Sequence, residues 1–385
     1  MTRLPFFSYG FRPFFFSAAL FAGTAIPVWA IILSGANSAE FLYGPREWHV
    51  HEMVFGFLSA IIAGFLFTAM PNWTDRPPVK GKLLIVFWGL WLAGRLVIAK
   101  PWLPDMVCVL VDVLFLIGVA GIVWREIAIG KAWDRSPIGV LISLYALANI
   151  LFHGLALSDS STELAERMGL TIIILLLSLI GGKVTPGFTE DFLEDHNLPQ
   201  RPPDFSGIDK ATILLTLIAG ISWIVQPLTH TTGWLLLTAG IMHLIRLSRW
   251  YGWRTWREPL VLILHVGYGW LAMALIILGA AALGVGFYLG EAIHALTTGA
   301  IGSMTLAIMT RASLGHTGRP KYAGPGTIMM YSLVNLGALL RVFGPATPIP
   351  TFFVYNFSAM AWSGGYLLFA IIYGKFLLSP SLDEE

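Results

Sequence analysis

Cysteine is almost absent: Cys108 is the single thiol in 385 residues. One thiol excludes an internal disulfide, a cysteine-ligated iron–sulfur cluster and a Cys-x-x-Cys-His haem attachment. Cys108 itself is expected to be a small packed hydrophobe. Charge is scarce too. Charged residues make up 12% of the chain and hydrophobic ones 56%, with a mean hydropathy of +0.73, too apolar for a soluble domain of this length. No Gly-rich phosphate loop ending in Lys-Ser/Thr, no dinucleotide fingerprint and no Gly-x-Ser-x-Gly elbow is present. No small-residue cleavage site follows the first apolar stretch, which is too long for a signal-peptide core and reads as a retained anchor. The net charge of +2 points to no partner, and no nucleic-acid partner is expected.

What the chain does have is apolar runs of about 17–25 residues, close to the ~20 a helix needs to cross ~30 Å of hydrocarbon. About twelve are found, near 13–34, 49–70, 82–98, 103–124, 137–157, 167–185, 209–226, 232–248, 258–282, 288–311, 325–343 and 352–376. Short linkers rich in Pro, Gly and charge separate them, as at 71–81 and 317–326. The one long connection, 186–208, is acidic and then Pro-rich and is expected to be a cytoplasmic loop. With a cytoplasmic N-terminus, all but Arg46, Arg95, Lys100, Arg167 and Arg341 of the 24 basic residues fall on the inner side. The expected fold is all-α: a polytopic integral membrane bundle of about twelve transmembrane helices, both termini cytoplasmic, forming a single transmembrane domain over 1–385. No convincing internal repeat is visible, which disfavours transporters built from inverted halves.

The nine histidines carry the chemistry. Imidazole is rare inside membrane helices and marks a functional site there by default. With that topology, His49, His51, His153 and His294 lie within roughly 10 Å of the outer boundary, at 1.5 Å per residue. Asn149 shares a helix face with His153 one turn away. On the opposite side, His243 and His265 stand at matching depth on two antiparallel helices, and His316 lies just beyond the tenth span. His196 and His230 fall in loops and read as solvated.

His49 and His51 are two apart, so on a helix their rings diverge by roughly 200° and do not easily share one metal. Neutral imidazole suits zinc, copper and haem iron, and is the usual axial ligand of a membrane b-type haem. Arg95, Arg341 and Arg46 are candidates for haem propionates, or else snorkel to headgroups. Asp112, Glu52 and Glu291 lie at similar depth and could pair with these arginines instead. Trp48, Trp102, Trp124, Trp133, Trp250, Trp253 and Trp256 are expected in the interfacial belt, with phenylalanines facing membrane lipid. Gly299 and Gly302 permit either close helix approach or room for a flat macrocycle beside His294.

The strings WHVHEMVFGF (48–57), GFLFTAMPNWT (64–74), GGKVTPGFT (181–189), LILHVGYGW (262–270) and HALTTGAIGSMTLAIMTRASLGHTGRP (294–320) resemble the NnrS family. These are haem- and copper-containing membrane proteins with about twelve spans, associated with the bacterial response to nitric oxide. The resemblance extends over nearly the whole chain and implies His49, His51, His243, His265, His294 and His316 as metal-site candidates; His153 enters on geometry alone. It further implies haem b and copper as cofactors, nitric oxide or another small diatomic as ligand, and the bacterial inner membrane as location. NO is neutral and dissolves in the bilayer, so no extramembrane domain is needed. Reduction would require an electron donor, and quinol is the expected one. In this reading His49, His51 and His294 serve haem iron, and His243, His265 and His316 serve copper or a second centre. A transporter passing a metal cation along two histidine levels is the alternative.

Overall fold

The structure, a computed structural model, describes residues 5–35 and 41–382. Twelve helices follow one another, with no strand among the described residues. They are α1 (Phe11–Leu33), α2 (Pro45–Thr74), α3 (Lys82–Ala99), α4 (Asp105–Ile129), α5 (Trp133–Leu157), α6 (Glu163–Asp195), α7 (Gly207–Val225), α8 (His230–Ser248), α9 (Pro259–Ala282), α10 (Leu289–Gly315), α11 (Pro325–Ala346) and α12 (Thr351–Leu378). Eleven are long and apolar enough to cross a membrane. The remaining one, α8, carries three threonines with His230, His243 and Arg246, which dilute its apolar character; it packs between α7 and α9.

Two boundaries differ from those the sequence suggests. Helix α2 runs through Pro71 to Thr74, where Asp75 takes a left-handed conformation and ends it. Helix α6 continues through Pro186 to Asp195, so much of the expected 186–208 loop is helix. Proline has no N–H for the carbonyl four residues back. Here that carbonyl belongs to Gly182 and accepts from Arg246 Nη2 at 3.4 Å instead.

Contacts gather the chain into two compact units. The first comprises Met1–Ile172, Ala312–Arg319 and Ala370–Glu385; the second comprises Ile173–Arg311 and Pro320–Phe369. In the first, α1 packs on α2, α3 on α4 and α4 on α5. Buried Arg12 donates to the carbonyls of Phe376, Leu377 and Ser379, and its Nη2 reaches Ser381 Oγ at 2.8 Å, so the final turn of α12 is capped from α1. In the second, α9 is the central helix, packed against α8 and α10.

Three helices contain a π-helical stretch: Glu52–Phe57 in α2, Leu177–Gly181 in α6 and Ala295–Ile301 in α10. Widening from i→i+4 to i→i+5 leaves carbonyls turned out of the ladder, and such stretches concentrate at functional sites. Donors from neighbouring helices take those carbonyls. Trp91 Nε1 donates to Gly56 O at 2.9 Å and Tyr145 to Val54 O; Arg246 Nη1 donates to Ser178 O at 2.7 Å; Trp362 Nε1 donates to Thr298 O at 3.1 Å. Two of the three stretches begin immediately after a histidine, His51 and His294.

The seven tryptophans expected in a belt differ in exposure, with Trp124 half-buried. Trp102, Trp133, Trp253 and Trp256 are exposed, but Trp48 and Trp250 are buried. Trp48 stacks on Phe41 at 4.2 Å, and Trp250 lies edge-on to Tyr268 at 4.6 Å beneath the Arg246 guanidinium. Cys108 is buried, as a packed hydrophobe would be.

Candidate metal centre

Among the described residues, one group of three donors comes close enough to hold a single ion: His51, Asp112 and His153, whose ligand atoms lie within 4.8 Å of one another. His51 is the last residue of α2 before its π-helical stretch, Asp112 lies in α4 and His153 in α5. All three are at most 3% exposed. Asp112 Oδ2 is the point of convergence, 3.2 Å from His51 Nε2 and 2.9 Å from His153 Nε2.

Each outward-facing ring nitrogen is held by an oxygen. Glu52 Oε1 lies 3.2 Å from His51 Nδ1, and the Tyr43 hydroxyl meets His153 Nδ1. Burial pushes the Tyr43 phenol up, so it keeps its proton. This is the arrangement in which imidazoles ligate metals, one nitrogen inward and the other fixed by a carboxylate or hydroxyl. Asn149 is oriented by its own bond: Nδ2 donates to Asp112 Oδ2 at 3.0 Å, which turns Oδ1 towards His51 Nε2 at 3.1 Å. His51 Nε2 therefore faces two acceptors, and Nδ1 a third. Both nitrogens must carry hydrogens in this arrangement, or a cation must take the place of one.

Arg95 holds the carboxylates. Its Nη1 lies 2.7 Å from Glu52 Oε2, and its Nη2 pairs with Asp112 Oδ1. Of the roles open to Arg95 in the sequence, the pairing with Asp112 and Glu52 is the one adopted, and both its terminal nitrogens are engaged. The guanidinium fits because residue 56 is glycine: an added Cβ would fall on Arg95 Nη1. Gly56→Ala is expected to displace Arg95 and cost about 1–3 kcal/mol of stability, an overpacking penalty readable in detergent by thermal unfolding.

The other candidates are placed as follows. His49 turns away from His51, as the spacing requires, and stacks on Trp29 at 4.5 Å and 5°. His294 directs Nδ1 to Gly290 O at 2.6 Å. His243 is enclosed: Thr216 Oγ1 donates to Thr212 O at 2.7 Å and so accepts from His243 Nε2 at 3.0 Å, while Nδ1 meets the Tyr268 hydroxyl at 2.8 Å. His265 Nε2 bonds Thr189 Oγ1 at 2.8 Å, and its buried Nδ1 faces Gly252. His243 and His265 are each engaged by a different threonine, with Tyr268 beside the first ring and Trp250 beside the second. His316 is exposed and lies against Tyr9 and Phe11. His196 and His230 are exposed, the latter opening α8 rather than lying in a loop. Arg341 lies over Tyr355 at 4.4 Å, Arg46 forms a two-pronged pair with Glu166 at 2.8 and 2.9 Å, and Glu291 caps Tyr288 N.

The donor chemistry of the trio is compatible with copper: neutral imidazole suits it, and Asp112 adds an anionic oxygen. For a haem, His294 offers an imidazole whose Nδ1 is bonded to Gly290 O. The glycines beside it are filled by neighbouring indoles, Gly299 by Trp270 and Gly302 by Trp362, so these small residues serve helix packing. Sequence reasoning missed Tyr43, which has no motif, and the π-helical stretches, which leave no trace in a 3.6-residue period.

A family model described as NnrS protein matches residues 5–381 of the chain. No curated protein matches it.

Proposed function

The chain belongs to the NnrS family of membrane proteins, and from that premise we propose that it carries copper at His51, Asp112 and His153 and binds nitric oxide within the bilayer. The single observation behind this is the convergence of those three buried donors on one point. The reading extends to a b-type haem ligated by His294, to reduction of NO with electrons from membrane quinol, and to the bacterial inner membrane as location.

Copper bound there would supply a redox-active centre able to hold a diatomic. The protein's own residues do the rest. His51, His153 and Asp112 bind; Glu52 and Tyr43 fix the two rings; Asn149 and Arg95 hold the Asp112 carboxylate from two sides. Burial of every member excludes water, which strengthens each of these interactions and keeps competing ligands out. A transport role is disfavoured by the same enclosure, since a cargo ion would need an exit and Asp112 and His51 are sealed.

The test is metal analysis with optical spectra of the purified protein, oxidised and dithionite-reduced, with and without NO. Copper together with a Soret band that NO shifts would support the reading; a colourless protein that takes up only divalent metal would remove it. His49→Ala is expected to retain copper fully, because its ring is stacked on Trp29 away from the trio, whereas His51→Ala and His153→Ala lose it.

A further inference from the structure

The connection between α8 and α9, residues 249–258, is closed on its inner side and open on its outer one. Trp250 is buried beneath the Arg246 guanidinium and against Tyr268. Gly252 lies on the His265 ring, so close that an added Cβ would meet Nδ1. Buried Thr255 donates from Oγ1 to Gly252 O at 2.8 Å, and its carbonyl accepts from Glu258 N at 2.8 Å. Residues 252–255 thus form a pinned 3₁₀ turn. Four side chains project from this connection: Trp253 and Trp256, 59% and 63% exposed, and Arg254 and Arg257, exposed as well. Neither of these arginines pairs with a carboxylate among the described residues. Arg257 lies over the Trp256 ring at 4.5 Å, and Glu258 turns to Leu260 N at 3.2 Å. Arginines in other connections are answered by acids, Arg135 by Asp134 at 2.9 Å and Arg201 by Glu194 at 3.4 Å.

We propose that this turn is a binding site for an anionic phospholipid, with Arg254 and Arg257 on its phosphate and Trp253 and Trp256 seated beside its glycerol and upper acyl chains. The inference needs only the membrane fold and is independent of the metal centre. Pro259 opens α9, a helix long and apolar enough to span, so the turn before it stands at the bilayer surface. Tryptophan is favoured at that level, where its ring meets an apolar layer and its N–H a wet one. Two guanidinium groups without carboxylate partners match an anion, and guanidinium binds phosphate oxygens through paired N–H donors. A zwitterionic headgroup offers a phosphate too, but its own cation would meet the two arginines, so a lipid of net negative charge is preferred. An acidic soluble protein would satisfy the arginines and leave the tryptophans outside the layer that suits them. Because the backbone is already pinned from within, little ordering cost falls on binding.

The experiment titrates the full-length, delipidated protein in detergent with phosphatidylglycerol or with phosphatidylcholine and follows thermal unfolding. Phosphatidylglycerol is expected to raise the unfolding temperature to a plateau, and phosphatidylcholine to raise it less at equal mole fraction. Arg254→Gln/Arg257→Gln changes only exposed positions and should unfold like wild type without added lipid. It should need at least about tenfold more phosphatidylglycerol to reach half the shift, since each basic residue near anionic lipid is worth about fivefold. Lys80→Gln/Lys82→Gln removes the same charge from exposed positions elsewhere and should titrate as wild type. Equal shifts from the two lipids, an arginine variant that titrates as wild type, or a lysine control that loses as much each overturn the site. So does a soluble glycerophosphate that reproduces the shift, because the turn would then recognise phosphate without a lipid. Should the double arginine variant not fold, Arg257→Gln carries the test, with about a fivefold weakening expected and an unchanged titration overturning the proposal.

Discussion

Asp112→Ala is expected to abolish metal binding at the proposed centre and to destabilise the protein by about 3–5 kcal/mol, the usual cost of removing one partner from a buried ion pair. Asp112 is the one residue touched by every arm of the network: Arg95, His51, His153 and Asn149 all bond its two oxygens. Without it, the buried guanidinium keeps only Glu52, and the two imidazoles lose the oxygen on which they converge. Asp112→Asn keeps the shape and one acceptor, so it should fold better than the alanine variant and still lose metal. Thermal unfolding in detergent and metal analysis on the same samples check both halves. If Asp112→Ala unfolded like wild type, the network would have no part in stability.

The second large effect is expected at Arg246, in the other compact unit. This arginine, 1% exposed, bonds Asp209 Oδ1 at 2.6 Å, Ser178 O at 2.7 Å and Tyr268 Oη at 2.9 Å, and it stands where any side chain on Gly182 would collide with it. It thereby caps carbonyls released by the π-helical stretch of α6 and by Pro186, and it ties α6 and α7 to α8, the least apolar of the helices. Arg246→Met removes all of this and leaves Asp209 with only Arg249, at 3.3 Å, and its own helix cap. A loss of about 3 kcal/mol is expected. The double variant Asp209→Asn/Arg246→Met should lose clearly less than the sum of the two single ones, because it leaves no carboxylate behind.

The candidate metal centre was partly legible in the sequence because its ingredients are depth-coded. Helix rise placed His51 and His153 at one level, and the i, i+4 relation put Asn149 on the face of His153. The two-residue spacing of His49 and His51 correctly sent their rings apart. Depth alone, however, does not report rotation about a helix axis. His243 and His265 share a depth yet bond different threonines, Thr216 and Thr189, because their rings point to different neighbours. Arg95 could be placed near Asp112 and Glu52 but not bonded to them, since the bond depends on Gly56 leaving space that no local pattern records. Helix ends failed for a related reason. Pro71 and Pro186 are strong stop signals locally, and at Pro186 a donor from a distant part of the chain, Arg246, replaces the missing hydrogen bond.

The π-helical stretch in α2 has a consequence for chain length. A π turn holds one residue more than the α turn it replaces, so Glu52–Phe57 acts as an inserted position within an otherwise regular rod. Deleting a single residue there would let the helix close into ordinary α geometry with its apolar character intact, and a hydropathy profile would barely register the change. Yet everything before the deletion would turn by about 100° relative to everything after it. His51 would then face where a neighbouring position faces now, while Leu66 and Phe67 kept their packing. Relatives that differ here by one residue would share the membrane helix and lack the His51–Asp112–His153 cluster.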